Sequence, residues 1–261
     1  MKRRLACLAL AASLYAGAPA AGANPVLWVG DAAGRLATID VVTGATTVIG
    51  AMGYTMYDIA FDPAGHLYGI NGSSLYSIDP VTAAASFIGT GGGGNINSLV
   101  FGSDGKLYGA STALYVFDTA SGARTSIGSL GPGISSSGDL AFIDGQLYLT
   151  GVASQDRLYR VSTSTGAATL VGSTGYSEVY GLASPNGHDL YGFSGGKVLR
   201  VDVSTGAGTL LSTANGAPLS SVYGAAFYTE SAPPPIPEPS SWALMLAGLA
   251  ALGLIGRRRR G

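Results

Sequence analysis

Short apolar runs broken by turn residues recur with a fixed period between Val26 and Tyr228. The pairs Leu27-Trp28, Leu67-Tyr68, Leu107-Tyr108, Leu147-Tyr148 and Leu190-Tyr191 are equivalent, and they lie 40, 40, 40 and 43 residues apart. A second run follows each pair: Leu36–Asp40, Leu75–Asp79, Leu114–Asp118, Leu158–Ser162 and Val198–Asp202. A third comes next: Thr43–Gly50, Thr82–Gly89, Ser121–Gly128, Thr165–Gly172 and Thr205–Ser212. A further run precedes every pair but the first: Asp58–Phe61, Ser98–Phe101, Asp139–Phe142 and Gly181–Ala183. Each repeat therefore predicts four short strands separated by turns. Asp62–Gly65, Ser103–Gly105, Asp144-Gly145 and Asn186-Gly187 join the first strand to the second. Aspartates at 40, 79, 118 and 202 open the turn from the third strand to the fourth, where an aspartate can accept from its own backbone two residues on.

Both faces of these strands carry apolar residues, as expected where each sheet is sandwiched between neighbours. A four-stranded unit of about 40 residues fits a propeller blade. The ends of the array argue for closure. The first repeat lacks its first strand, and a lone run, Gly224–Phe227, is left over after the fifth. Joining them closes a ring, and residues 26–228 number 203, close to five blades. The fold expected is all-β, a five-bladed β-propeller closed by its C-terminal strand. An open β-solenoid would repeat a shorter, uniform rung and would not leave complementary ends. The repeats resemble the broad superfamily of secreted β-propellers with Leu-Tyr-x-Ile-Asp and Thr-Gly-x-Thr elements, a resemblance that carries structure and no specific activity.

Composition agrees with a folded, turn-rich protein. Apolar residues make up 47% of the 261, enough for a core, and charged residues only 11%, against roughly 25% in an average domain. The net charge of −1 conceals a partition: Lys2, Arg3, Arg4 and Arg257 to Arg260 sit at the two ends. The rest of the chain is acidic and lacks the basic footprint that nucleic acid binding requires.

The two ends read as addresses. Residues 1–23 have a charged start, an apolar stretch from Leu5 to Leu14 and an Ala21-Gly22-Ala23 cleavage site, the order of a secretory signal peptide. The only cysteine, Cys7, leaves with it, so the mature protein forms no disulfide. At the other end, residues 231–239 form a proline-rich linker that contains Pro237, Glu238 and Pro239. Residues 240–261 follow as an apolar helix, uncharged from Trp242 to Ile255, and a cluster of Arg257, Arg258, Arg259 and Arg260. Fourteen residues span only about 21 Å of a ~30 Å hydrocarbon core. The flanks decide for membrane insertion, because the arginines orient the helix with its end in the cytoplasm.

Pro237-Glu238-Pro239, the apolar helix and the terminal arginines together resemble the PEP-CTERM sorting signal. The resemblance covers residues 236–261. It implies recognition by a membrane-embedded exosortase, transient anchoring in the inner membrane after passage through the secretion machinery, and delivery to the cell surface or extracellular matrix. It also implies a Gram-negative bacterium, commonly one that makes exopolysaccharide and biofilm.

Residues 24–230, the repeat domain, offer little chemistry. His66 and His188 occupy equivalent hairpin turns in different blades, too far apart to share a metal. The Gly91–Gly94 run lacks the Gly-Lys-Ser/Thr of a phosphate cradle, and no serine sits in a Gly-x-Ser-x-Gly elbow. One set breaks the repeat, the residues that enter the first strands. Tyr57, Asp58, Asn97, Asp139, Tyr180 and Tyr223 converge in a propeller around the mouth of the central channel. There they could stack on a sugar and bond its hydroxyls, or hold a calcium ion; otherwise they cap strands and fill space between blades. No catalytic residue and no cofactor is assigned, calcium being the one ion the mouth could take. The expectation is a non-catalytic, exopolysaccharide-associated binding or scaffold protein. The alternative is a secreted propeller lyase or lactonase with a metal at the mouth.

Overall fold

Alternating turn and apolar segments fold into five antiparallel sheets set around an axis. The structure, a computed structural model, describes residues 24–228. Blade one holds β1 (Val26–Asp31), β2 (Arg35–Asp40) and β3 (Ala45–Ala51). Blade two holds β4 (Asp58–Phe61), β5 (Leu67–Asn71), β6 (Ser74–Ile78) and β7 (Ala85–Thr90). Blade three holds β8 (Ser98–Phe101), β9 (Leu107–Ala110), β10 (Ala113–Phe117) and β11 (Arg124–Ser129). Blade four holds β12 (Ser136–Ile143), β13 (Gln146–Gly151), β14 (Arg157–Val161) and β15 (Ala168–Ser173). Blade five holds β16 (Val179–Ala183), β17 (Leu190–Ser194), β18 (Lys197–Val201) and β19 (Gly208–Thr213). Two late strands, β20 (Asn215–Gly216) and β21 (Val222–Phe227), return to blade one, whose order is β20-β3-β2-β1-β21. The protein is an all-β five-bladed propeller, with no helix among the described residues. The expected signal peptide (1–23), linker (231–239) and membrane helix (240–261) lie outside the described residues.

The ring closes as the complementary ends require. Strand β21 runs antiparallel to β1, with Leu27 opposite Phe227 and Gly30 opposite Gly224. It thereby supplies the innermost strand that blade one lacks. Strand β20 was not anticipated: it pairs in parallel with β3, Asn215 opposite Ala45 and Gly216 opposite Thr46. Residues from the C-terminal side of the chain thus hold blade one by both its edges. Because β21 leads away from the mouth end and β1 returns toward it, the chain enters and leaves the ring at the opposite end.

The core lies between the blades rather than within them. Five buried clusters fill the five joints, such as Leu36, Met56, Phe61 and Tyr76 between blades one and two. Another, Leu27, Phe193, Ala225 and Phe227, sits between blades five and one. This is why the strands are apolar on both faces. Each fully buried Leu or Phe contributes about 1.5–3 kcal/mol.

At the rim, the turn of each blade rests on the outer strand of the blade before. A Cβ on Gly128 would lie 2.2 Å from the Thr165 carbonyl oxygen, and one on Gly172 2.0 Å from that of Thr205, so the backbones meet only because these residues are glycine. The closing joint differs. Ser212 stands where the others have glycine, and its hydroxyl donates to the Val41 carbonyl at 2.7 Å. The recurring aspartates are scaffold: Asp40 Oδ1 accepts from Val42 N–H at 2.9 Å and Thr43 N–H at 2.8 Å, and Asp79, Asp118 and Asp202 repeat the pattern. His66 is likewise a turn residue, its Nδ1 2.8 Å from Asp62 Oδ2, and His188 meets Asp144 in the hairpin of the blade before.

Candidate functional site

The five innermost strands begin at one end of the ring, and their entering residues line a cavity of about 180 Å³. Blades five, one and two supply Tyr180, Tyr223 and Tyr57 in that circular order; blades three and four supply Asn95, Asn97, Ser137 and Gly138. An aromatic half faces a polar half. The Tyr223 ring stands between the other two, 5.8 Å and 69° from Tyr180, and 6.2 Å and 76° from Tyr57. These are edge-to-face contacts of the kind aromatic quadrupoles favour.

On the polar side, the Asn97 side-chain amide donates to the Ser136 carbonyl at 3.1 Å, while its Oδ1 is buried with no hydrogen-bond partner. The Ser137 hydroxyl donates to Asp156 Oδ2 at 2.6 Å. That buried carboxylate also accepts from Val179 N–H at 2.8 Å, tying blade four to blade five. At the rim burial, aided by the neighbouring Glu178 charge, raises the Tyr180 hydroxyl pKa above its usual value. Glu178 has φ +55°, a left-handed conformation that side chains other than glycine, asparagine and aspartate seldom adopt. Nothing in the repeat pattern marks Glu178, because the signal is in its backbone angle.

Tyr57, Asn97, Tyr180 and Tyr223 therefore come together at the mouth. Asp58 and Asp139 do not join them; both are enclosed in the waist below, and this corrects their expected place on the rim. Neighbouring residues on a strand point to opposite sides, so Tyr57 faces the cavity and Asp58 turns inward. Asp58 accepts from its own strand's Ile59 N–H at 2.7 Å and from Leu99 N–H of blade three. Asp139 repeats this with Leu140 and Leu182, both at 2.6 Å. The two carboxyl groups also hydrogen-bond each other across the axis. Burial first, then the Asp58 charge and hydrogen bond, push the Asp139 carboxyl well above its usual range, against the pull of its two N–H donors. One proton shared between two carboxyls is the arrangement expected when like charges cannot both ionise at close range. The waist is tight there: a Cβ on Gly224 would lie 2.4 Å from the Asp58 Cα. Among the described residues no three His, Cys, Asp or Glu side chains converge on a point that could hold a metal.

Comparisons with known proteins agree with the fold. Residues 58–229 match the family model DUF6923, described as a repeat of unknown function, and residues 235–260 match the PEP-CTERM protein-sorting motif. That motif implies export, membrane anchoring before cleavage, and processing by an exosortase. No curated protein matches the sequence. Among solved structures, one from a study of the de novo evolutionary emergence of a symmetrical protein is 20% identical, covering 76% of this chain and all of its own, with a TM-score of 0.52. A structural-genomics protein of unknown function from Bacteroides thetaiotaomicron is 17% identical, covering 80% of this chain and 63% of its own, with a TM-score of 0.54. A chain of a nidogen/laminin complex is 10% identical, covering 80% and 99%, with a TM-score of 0.56. At such identities the likeness concerns fold alone. The chain belongs to the DUF6923 repeat family and carries a PEP-CTERM sorting motif.

Proposed function

We propose that this exported propeller is a non-catalytic binding and scaffold protein of the cell surface or extracellular matrix, associated with exopolysaccharide, and that it takes its ligand in the tyrosine-lined mouth. One observation carries the reading: three tyrosines from consecutive blades face an amide and a hydroxyl across a cavity floored by a closed waist. An apolar wall opposite a few fixed polar groups is the usual make-up of a small-ligand site. The mouth also opens at the end of the ring opposite Asn24 and Tyr228, where the chain enters and leaves it. A protein tethered through its C-terminal side therefore presents the cavity away from the tether.

The rival, a metal-dependent lyase or lactonase, would have to run on Asp58 and Asp139, whose oxygens are already engaged by N–H groups and by each other.

The test is co-sedimentation of the exported protein with the producing organism's own extracellular polysaccharide, in calcium and in chelator, for wild type and Tyr223→Ala. Saturable binding that the variant loses supports the reading, and indifference to chelator separates it from a metal site. Absence of binding in both conditions overturns the polysaccharide association. Hydrolysis or elimination of the polymer, abolished by one substitution, overturns the non-catalytic assignment.

A further inference from the structure

The donors at the mouth are tyrosine hydroxyls and the Asn95 and Asn97 amides, none of them charged, and one buried acceptor stands open. Asn97 Oδ1 has no donor, the Ser137 hydroxyl hydrogen is committed to Asp156, and Glu178 brings a carboxylate to the rim. None of the residues lining the cavity is basic. Below lie the buried Asp58 and Asp139, and behind Ser137 stands the buried Asp156. Carboxylate and phosphate ligands find no basic side chain in that lining. A cation meets tyrosine π-systems on three blades, the open Asn97 Oδ1 and the Glu178 carboxyl near the rim.

We propose that the mouth binds an organic ammonium group, the positively charged end of an amino sugar or of another amine. The proposal rests on the mouth being the binding site, as inferred above, and adds the charge of what enters it. Its volume, about 180 Å³, is below the roughly 300–1,000 Å³ of pockets for drug-sized ligands. It accommodates a head group, with the remainder of the ligand outside. Glu178, in its left-handed conformation near Tyr180, is the residue that sets the charge preference at the rim.

The experiment is calorimetric titration of the exported protein with tetramethylammonium, D-glucosamine and the neutral N-acetyl-D-glucosamine. The expected result is single-site binding of a cation, with N-acetyl-D-glucosamine weaker by about tenfold or more. Binding of glucosamine points to an amino sugar as the source; binding of tetramethylammonium alone points to a quaternary amine. Added salt weakens the interaction, as it does any exposed charge pairing. Glu178→Gln, a substitution at an exposed side chain, lowers cation affinity several-fold at unchanged melting temperature, and Tyr223→Ala removes binding. Equal affinity for glucosamine and its neutral acetylated form overturns the charge preference while leaving the mouth as a sugar site. Failure of every cation to bind a protein that still co-sediments with polymer through Tyr223 has the same meaning. An unchanged affinity in Glu178→Gln overturns the role given to that residue.

Discussion

Asp58 and Asp139, from blades two and four, hydrogen-bond each other across the axis of the ring while each holds two backbone N–H groups from two consecutive blades. The pair joins four of the five innermost strands through side chains. The Asp139 carboxyl is raised in the folded state, so its contribution to stability is complete below the ordinary carboxyl pKa and is lost as pH rises through the raised value. The aspartates with lowered pKa, such as Asp40 and Asp79, act in the opposite sense only near the ordinary carboxyl pKa, so thermal melts from about pH 6 to about pH 9 should show the melting temperature falling with pH. In Asp139→Asn that slope should flatten, because the amide cannot ionise. A wild-type curve that rises over the same interval would refute the shared proton.

Removing the Asp58 carboxylate altogether is a different perturbation. Asp58→Ala strips the Ile59 and Leu99 N–H groups of their acceptor, at roughly 1–3 kcal/mol for each stripped donor. Chemical denaturation should show a loss of that size, larger than the loss in Asp139→Asn.

The rim joints make a steric prediction. Gly172→Ala places a methyl group 2.0 Å from the Thr205 carbonyl oxygen, so blades four and five must separate locally. The cost should reach at least the ~1–3 kcal/mol of ordinary overpacking. Gly93→Ala, where a Cβ meets nothing within 4 Å, should change stability by less than about 1 kcal/mol. Equal melting temperatures for the two variants would remove the explanation given for glycine at the joints.

Ring closure depends on β21. Phe227 is 2% exposed, packs in the joint between blades five and one, and meets Tyr191 edge to face at 5.5 Å. Phe227→Ala should cost about 3–5 kcal/mol. It should also open the seam between blades five and one to limited proteolysis before any other joint. Cleavage first at an unrelated joint would show that the seam is not the weak point.

The sorting motif makes a cellular prediction. Replacing Pro237, Glu238 and Pro239 by alanine should leave the protein in the inner membrane at uncut mass, read by fractionation and mass spectrometry. Normal processing of that variant would assign recognition to some other part of residues 235–260.

Much of the fold was legible because it is written locally and five times over. Each Asp-x-x-Thr-Gly turn and each Leu-Tyr strand repeats the same short-range chemistry, and the missing strand before Leu27 has its counterpart at Gly224–Phe227. The candidate site was half legible. The repeat breaks at Tyr57, Asn97, Tyr180 and Tyr223, and those residues do meet. Asp58 and Asp139 were placed on the rim beside them, since a sequence does not say how far down the axis a side chain turns. Glu178 and β20 left no trace, because one depends on a backbone angle and the other on a two-residue pairing with a distant strand.

Period, blade number, closure and the sorting motif follow from the chain alone, since each rests on residues close in sequence or on a count of repeats. The meeting of Asp58 and Asp139, the tyrosine crescent opposite Asn97, and the mouth's position away from Asn24 and Tyr228 arise only once the ring is closed. Its radius and strand directions set which side chains from different blades come within bonding distance, and no spacing along the chain encodes that distance.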